Sequence, residues 1–520
     1  MRTELGARPQ VHRTDHRSIL VQDKPAGPSL LSALEQTRLR VSRNTGAQKK
    51  SLFGQFLTPA RTARFMAGLF RPTAADRCRL LDPGAGIGSL TSAFLDRCHP
   101  GDLHFPAIDV TAFELDSLLH AELARSLSRH TAHAKLTCEI LGGDFIEQAV
   151  NRVQFGQTPF THAILNPPYK KIGSASRYRL LLRQVGIETV NLYSAFVALT
   201  VALMAPGGQV VAIIPRSFCN GPYYRPFRDF MLERAALRHL HLFDSRTTAF
   251  KDDAVLQENI IMVLERGAPQ GEVTVSASTD DSFSDLASHR HPFERIVLPG
   301  DSERFIQVPR TLEPNAIERS AAVACSLAEI GVGVSTGPVV DFRLKAHLRD
   351  LPGPGTVPLL YPAHFRGLST EWPKPGLKKP NAIQRNAETE KWLYPTGCYC
   401  VVRRFSAKEE RRRIIAGVVR PGAFEGVEML GFENHLNVFH ERRQGLPEAL
   451  ALGLAVFLST SAVDENFRRF NGHTQVNATD LKLMKYPSRA ALIALGEWAI
   501  SAATAPTQAM IDDQVAKLTL

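Results

Sequence analysis

Between residues 60 and 270 the sequence alternates between apolar runs with strand character and helix-like stretches, and the runs stop abruptly at turn or charged residues. RLLDP (79–83), DVTAFELD (109–116), LTCEILGGD (136–144), HAILNPPY (162–169), GQVVAIIP (208–215), RHLHLFD (238–244) and NIIMVLE (259–265) are the strand candidates. Residues 89–97, 117–130 and 191–204 between them read as helices. Strands separated by helices demand crossover connections, so the pattern predicts an α/β fold with a doubly wound, Rossmann-like parallel sheet. In such sheets ligands bind at the carboxyl ends of the strands. The residues at those ends therefore carry the functional argument.

The first strand runs through Asp82 into a loop with Gly84, Gly86 and Gly88, followed by a helix. Glycines let a backbone turn sharply and approach a ligand without Cβ contacts. The spacing is G-x-G-x-G, unlike the dinucleotide fingerprint G-x-G-x-x-G. Glu114 ends the second strand, where a carboxylate suits two vicinal ribose hydroxyls; Asp116 is a weaker alternative. Asp144 follows the third strand and can accept a nucleobase amine, with Phe145 available to pack on the ring. The fourth strand ends in Asn166-Pro167-Pro168-Tyr169. Two prolines make that loop rigid. The Asn166 side-chain oxygen and the Pro167 carbonyl can both accept from one planar NH2, and Tyr169 can stack on the base bearing it.

Taken together these motifs resemble the adenine-N6 DNA methyltransferases of restriction–modification systems, and the D-P-G-A-G-I-G loop is of the type found in S-adenosylmethionine (SAM) enzymes. SLFGQFLTP (51–59) is similar to the family's leading motif and implies that Thr58 lies near the methionine part of SAM. The motif order is that of the γ class. FDSRTTAFKDDAVLQENIIMV (243–263) resembles a late motif whose aromatic residue, here Phe250, packs on the extruded base. FNGHTQVNATDLKLMKYP (470–487) is similar to a segment of the PstI/BsuBI type of modification methylase. The resemblance covers roughly 50–490. It implies SAM as methyl donor, no metal, duplex DNA as partner, base flipping, and catalytic roles for Asn166, Pro167, Pro168, Tyr169 and Phe250. Thr58, Asp82, Gly84, Gly86, Glu114, Asp144 and Phe145 form the expected cofactor set.

The 520 residues divide on this reading into a basic arm (1–50), a catalytic domain (51–270), a boundary region (271–335) and an α+β target-recognition domain (336–520). The arm has ten Lys/Arg against four Asp/Glu and one short helix near 29–41. The boundary is marked by the polar run APQGEVTVSASTDDSFSD. Residues 361–420 hold thirteen Lys/Arg and five Asp/Glu with interleaved aromatics, within a chain whose net charge is +11. That stretch is the expected DNA contact, with Arg403, Arg404, Arg411, Arg412 and Arg413 as candidates. In HTQVNATD (473–480) the amides can contact bases or cap the next helix, and both readings stand.

Seven cysteines without a CxxC pair argue against a disulfide framework or zinc ribbon and fit a reducing cytosol. No apolar run reaches the ~20 residues of a membrane span. Residues 445–470 and 488–515 read as helices. The expected molecule is a cytoplasmic, bacterial, monomeric enzyme, with any cognate restriction endonuclease encoded separately. Cytosine-N4 is not excluded as target. The alternatives are an NPPY enzyme acting on an RNA adenine or a protein glutamine, and a DNA-binding specificity subunit with a degenerate SAM fold.

Overall fold

The computed structural model describes residues 30–44, 57–98, 102–130, 135–244, 258–407, 409–471 and 474–519. The chain opens with helix α1 (Leu30–Asn44) and continues through α2 (Ala60–Gly68), β1 (Arg77–Asp82), α3 (Ser89–Cys98), β2 (Ala107–Phe113), α4 (Ser117–Leu127), β3 (Leu136–Leu141) and α5 (Phe145–Gln154). Then come β4 (Phe160–Leu165), α6 (Arg177–Gln184), α7 (Leu192–Leu203), β5 (Met204–Pro215), α8 (Arg225–Arg234), β6 (Ala235–Phe243), β7 (Asn259–Arg266), β8 (Val273–Ser278) and β9 (Ala287–His291).

The nine strands form one sheet in the order β3-β2-β1-β4-β5-β7-β6-β8-β9. All seven sequence-predicted strands are present. The sheet is parallel from β3 to β5, and β7 inserts antiparallel between β5 and β6. Strict alternation explains why the central strands read as unbroken apolar runs. Val210, Ala212 and Ile214 of β5 enter the core under α7, whereas Val211 and Ile213 enter the core under α2 and α3. Ile260, Met262 and Leu264 of β7 divide from Ile261 and Val263 in the same way. A strand covered on both faces needs apolar residues at every position.

One expectation changes. Residues 273–291 are no linker: β8 pairs parallel with β6, and β9 closes the edge antiparallel to β8. Their polar residues belong to an edge with exposed positions, which is why composition mimicked a boundary. The described part of the arm is also packed. Leu34 of α1 is buried, Glu35 accepts from the Ala60 amide at 2.9 Å, and Arg40 pairs with Glu122 at 2.9 Å.

Beyond residue 333 lies an α+β region. An antiparallel sheet joins Gly333–Thr336, Leu436–His440, Tyr399–Arg403 and Ala416–Val419 in that order. A second, five-stranded sheet centres on Thr356–Leu360. Five helices follow: α9 (Glu448–Leu458), α10 (Ser461–Phe470), α11 (Ala478–Leu483), α12 (Arg489–Ser501) and α13 (Gln508–Thr519). Helices α9 and α12 cross in close contact at Gly453 and Gly496. A Cβ on Gly453 would lie 1.8 Å from the Leu492 carbonyl oxygen, so no side chain fits there.

Buried polar groups join this region to the nine-stranded sheet. After β5, Arg216 pairs with Glu258 at 2.9 Å and donates to the carbonyls of Arg468 (2.8 Å) and Arg469 (2.5 Å) at the end of α10. Asn220 donates to Asp480 at 3.2 Å, and the Val308 amide donates to the Arg469 carbonyl at 2.9 Å. Burial pushes the Asp480 carboxyl above its ordinary value, opposed by donors from Asn477, Asn220 and Asn471.

Candidate active site

Strand β1 ends at Asp82, and the chain turns at once into the glycine loop. Gly86 and Gly88 have φ of +56° and +84°, a left-handed geometry that L side chains resist. A Cβ on Gly86 would also come within 2.9 Å of the Leu57 side chain. The loop is tied to the neighbouring strand by the Ala85 amide, which donates to the Phe113 carbonyl at 2.9 Å. Asp82 lies under the loop rather than in the cleft. It is fully buried and accepts from the Thr91 hydroxyl at 2.7 Å. Burial pushes its carboxyl up to about 7, partly opposed by that hydroxyl. The expected direct cofactor contact is therefore corrected to a role in shaping the loop.

Glu114 follows the end of β2 and closes over the same loop. Its Oε2 accepts from the Gly86 amide and its Oε1 from the Asp116 amide, both at 2.7 Å. Burial raises its pKa and the two amides oppose that rise. Asp116 instead caps α4, accepting from the Leu118 amide at 3.2 Å. Asp144 caps α5 through the Glu147 amide at 3.2 Å, and the Tyr178 hydroxyl donates to its other oxygen at 2.5 Å. Burial, then the Asp144 carboxylate, pushes the Tyr178 phenol up to about 12.

An open cleft runs over these strand ends, lined among others by Gly84, Gly86, Glu114, Asp144, Phe145 and Asn166. Phe145 packs against Phe113 (centroids 5.2 Å apart) and Phe196 (4.9 Å). Leu57, Phe113 and Phe196 line the cleft too and were not singled out from sequence. Phe196 lies inside the strongly apolar α7 run, which gives no local sign that one of its rings reaches a cleft.

After β4 the chain presents Asn166-Pro167-Pro168-Tyr169. The Asn166 amide nitrogen donates to the Thr58 hydroxyl at 3.0 Å, and the Tyr169 hydroxyl donates to Asn166 Oδ1 at 2.9 Å. Thr58 thus meets the NPPY loop directly, although it does not line the cleft itself. Pro167 is buried and Pro168 lines the cleft. Tyr169 lines a second, larger cleft that opens between the nine-stranded sheet and the C-terminal region. Its wall holds a hydroxyl network: Asn191 donates to the Tyr224 hydroxyl at 2.7 Å, and Ser217 bridges Tyr193 (2.9 Å) and Tyr224 (3.3 Å). Phe250 lies outside the described residues.

The five arginines part company. Arg404 lines the second cleft with its guanidinium 5.6 Å from the Phe405 centroid. Arg403 is half-exposed and pairs with Glu410 at 2.9 Å. Arg411 is exposed. Arg412 donates to the Thr460 carbonyl at 3.1 Å and the Ser461 hydroxyl at 3.2 Å. Arg413 is 1% exposed and bonded to Ser406 and Asn471, with its guanidinium 5.7 Å from the Phe467 centroid. The DNA-contact expectation is corrected for Arg413, which builds the core. Tyr361, Tyr394 and Tyr399, read as interleaved with the basic residues, are buried as well.

A family model described as Eco57I restriction-modification methylase matches residues 121–250. The type II methyltransferase M.BsuBI of Bacillus subtilis is 51% identical over 498 residues, covering 94% of this chain and 98% of that protein. The type II methyltransferase M.PstI of Providencia stuartii is 40% identical over 449 residues, covering 85% and 88%. Among solved structures, the type IIL restriction-modification enzyme MmeI in complex with DNA aligns with a TM-score of 0.51 at 10% identity, covering 95% of this chain and 75% of that one. That last likeness concerns the fold alone.

On this α/β sheet a glycine loop, a strand-end acid and an NPPY loop line one cleft, and relatives at 51% and 40% identity make the chain a methyltransferase. The chain belongs to the family of restriction–modification type II methyltransferases that includes M.BsuBI and M.PstI.

Proposed function

We propose that the chain transfers a methyl group from SAM to the N6 amine of an adenine turned out of duplex DNA. One observation carries the reading: Asn166-Pro167-Pro168-Tyr169 forms the wall between two clefts, with Asn166 and Pro168 facing the glycine-loop cleft and Tyr169 facing the larger one. A group bound on one side and a base bound on the other would meet at Asn166.

The residues of the first cleft fit SAM. The left-handed Gly86 leaves room that a Cβ would close against Leu57, and a carboxylate such as Glu114 suits two vicinal hydroxyls because both its oxygens accept. Asp144 and Phe145 suit an adenine edge and face. SAM supplies a methyl already activated by a sulfonium. Asn166 Oδ1 and the Pro167 carbonyl would accept from the target amine and draw its nitrogen towards tetrahedral geometry. Tyr169 would stack on the target base while its hydroxyl steadies Asn166. Catalysis on this reading is mostly positioning. A base within a duplex cannot reach the cleft, so the nucleotide would be extruded, as methyltransferases do. The relatives act in restriction–modification, so a separately encoded endonuclease is the proposed counterpart, and a monomer suffices to methylate each strand in turn.

The test is methyl transfer from labelled SAM to unmodified genomic DNA, followed by single-molecule sequencing. N6-methyladenine within one short recurrent sequence is the expected result. Label on cytosine overturns the base assignment, and label in RNA or protein but not DNA overturns the substrate.

A further inference from the structure

Of the three side-chain amides between α10 and α11, Asn471 bonds Arg413, Asp480 and the Gln475 carbonyl, and the structure separates the roles of the other two, Gln475 and Asn477. Asn477 caps α11: its side chain accepts from the Asp480 amide while the Asp480 carboxylate accepts from the Asn477 amide. Asp480 also accepts from the side-chain amides of Asn220 at 3.2 Å, Asn471 at 3.1 Å and Asn477 at 3.3 Å. Asn477 is therefore engaged in holding the segment.

The main chain before it is fastened on both sides. The Val476 amide donates to the Arg404 carbonyl at 2.7 Å, and the Ser406 amide donates to the Thr474 carbonyl at 3.0 Å. Asn437 donates to the Val476 carbonyl at 2.7 Å and Asn471 to the Gln475 carbonyl at 3.0 Å. The Gln475 side chain is left over. Gln475 is half-buried and lines the same cleft as Tyr169, and its side-chain amide has no partner among the described residues. Beside it, Arg404 lines the cleft with its Nε buried and unbonded among the described residues.

We infer that Gln475 reads a base edge of the DNA, an adenine close to the extruded nucleotide, from a loop whose rigidity comes from the hydrogen bonds just given. This rests on the proposed DNA methyltransferase reading and adds one specificity-determining residue to it. A neutral amide gains little from a phosphate, to which only its donor is useful. Its adjacent donor and acceptor match adenine N7 and N6 together. A fastened main chain limits the ordering needed on binding to one side chain. Arg404, bonded to the next residue through the main chain, is placed to contact the neighbouring phosphate or a guanine edge.

The experiment uses the full chain with Gln475→Ala and Gln475→Glu, each checked for wild-type thermal unfolding. Each is incubated with labelled SAM and unmodified genomic DNA, and the marks are read by single-molecule sequencing. Competition binding with duplexes changed one base pair at a time covers a variant that folds but turns over slowly. The expected result is a loss of discrimination at one A·T pair of roughly ten-fold or more in both assays for the alanine variant. Gln475→Glu, which has the shape without the donor pair, loses it too. Unchanged discrimination at every position overturns the assignment, whether or not the rate falls, because a uniform loss belongs to a phosphate or packing contact. Failure of the wild type to mark DNA overturns the proposed function itself, and the two failures are thereby distinguished.

Discussion

Tyr169 Oη donates to Asn166 Oδ1 at 2.9 Å, so the residue that would stack on a base also orients the residue that would hold its amine. The phenol is held neutral by burial, which raises its pKa. Asn166→Ala is expected to abolish methyl transfer while SAM binding, measured by calorimetry, stays within a few-fold of wild type. Tyr169→Phe keeps the ring and loses only the hydroxyl. It should lower kcat by about ten-fold, the scale of one hydrogen bond, with little change in KM for DNA. Loss of SAM binding in the Asn166 variant would show that this side chain holds the cofactor rather than the target amine.

Glu114 and Asp144 line the same cleft as Asn166. Glu114→Gln replaces one of the acceptors now paired with the Gly86 and Asp116 amides by an NH2 group. It should weaken SAM binding by about 10- to 100-fold, the range for hydrogen bonds to a charged group. Tyr178→Phe removes the donor to Asp144 Oδ2. Its expected signature is a several-fold rise in KM for SAM with kcat preserved. An unchanged KM would show that Asp144 is oriented by its helix cap alone.

Asp82 gives the molecule a pH dependence of defined sign. Its folded pKa of about 7 lies above the ordinary 3.8, because burial disfavours the carboxylate. The stability it contributes is fully present below the unfolded value and is lost as pH rises through the folded one, by at most about 1.4 kcal/mol per pH unit. Asp82→Asn stays neutral. The stability of wild type relative to this variant should therefore fall between about pH 4 and pH 7, as followed by denaturant unfolding. A difference independent of pH would show that Asp82 is ionised throughout.

Arg411 and Arg413 are two residues apart and should behave as opposites. Arg411 is exposed, and Arg411→Ala is expected to weaken duplex binding for all sequences alike and to reduce the salt slope by about one. Arg413→Met removes the donors to Ser406 and Asn471 from a site that is 1% exposed. It should destabilise the fold by roughly 1–3 kcal/mol and leave the salt slope of the folded fraction unchanged. Salt titrations of DNA binding and denaturant midpoints for both variants separate the roles.

The sequence by itself determined the large sheet and which residues stand at its strand ends. Glu114 and Asn166 follow directly on β2 and β4, and Gly84 and Asp144 stand within three residues of the ends of β1 and β3, so their positions are local to the strands. That is also why the glycine loop and NPPY could be matched to a family before any contact was known. Tertiary structure decided which of the named residues face the clefts. Asp82 was read with the glycines and lies beneath them. Arg413 was read with four other arginines and is enclosed by Ser406, Asn471 and Phe467. Thr58 meets Asn166 across 108 positions, and Asn220 meets Asp480 across 260. Phe196 and Gln475 gained their place in the clefts, and Tyr178 its bond to Asp144, from elements packed against them. Strand and turn character follow from neighbouring residues and their alternation. Burial and the direction a polar group faces depend on packing between distant segments, which no short stretch of sequence carries.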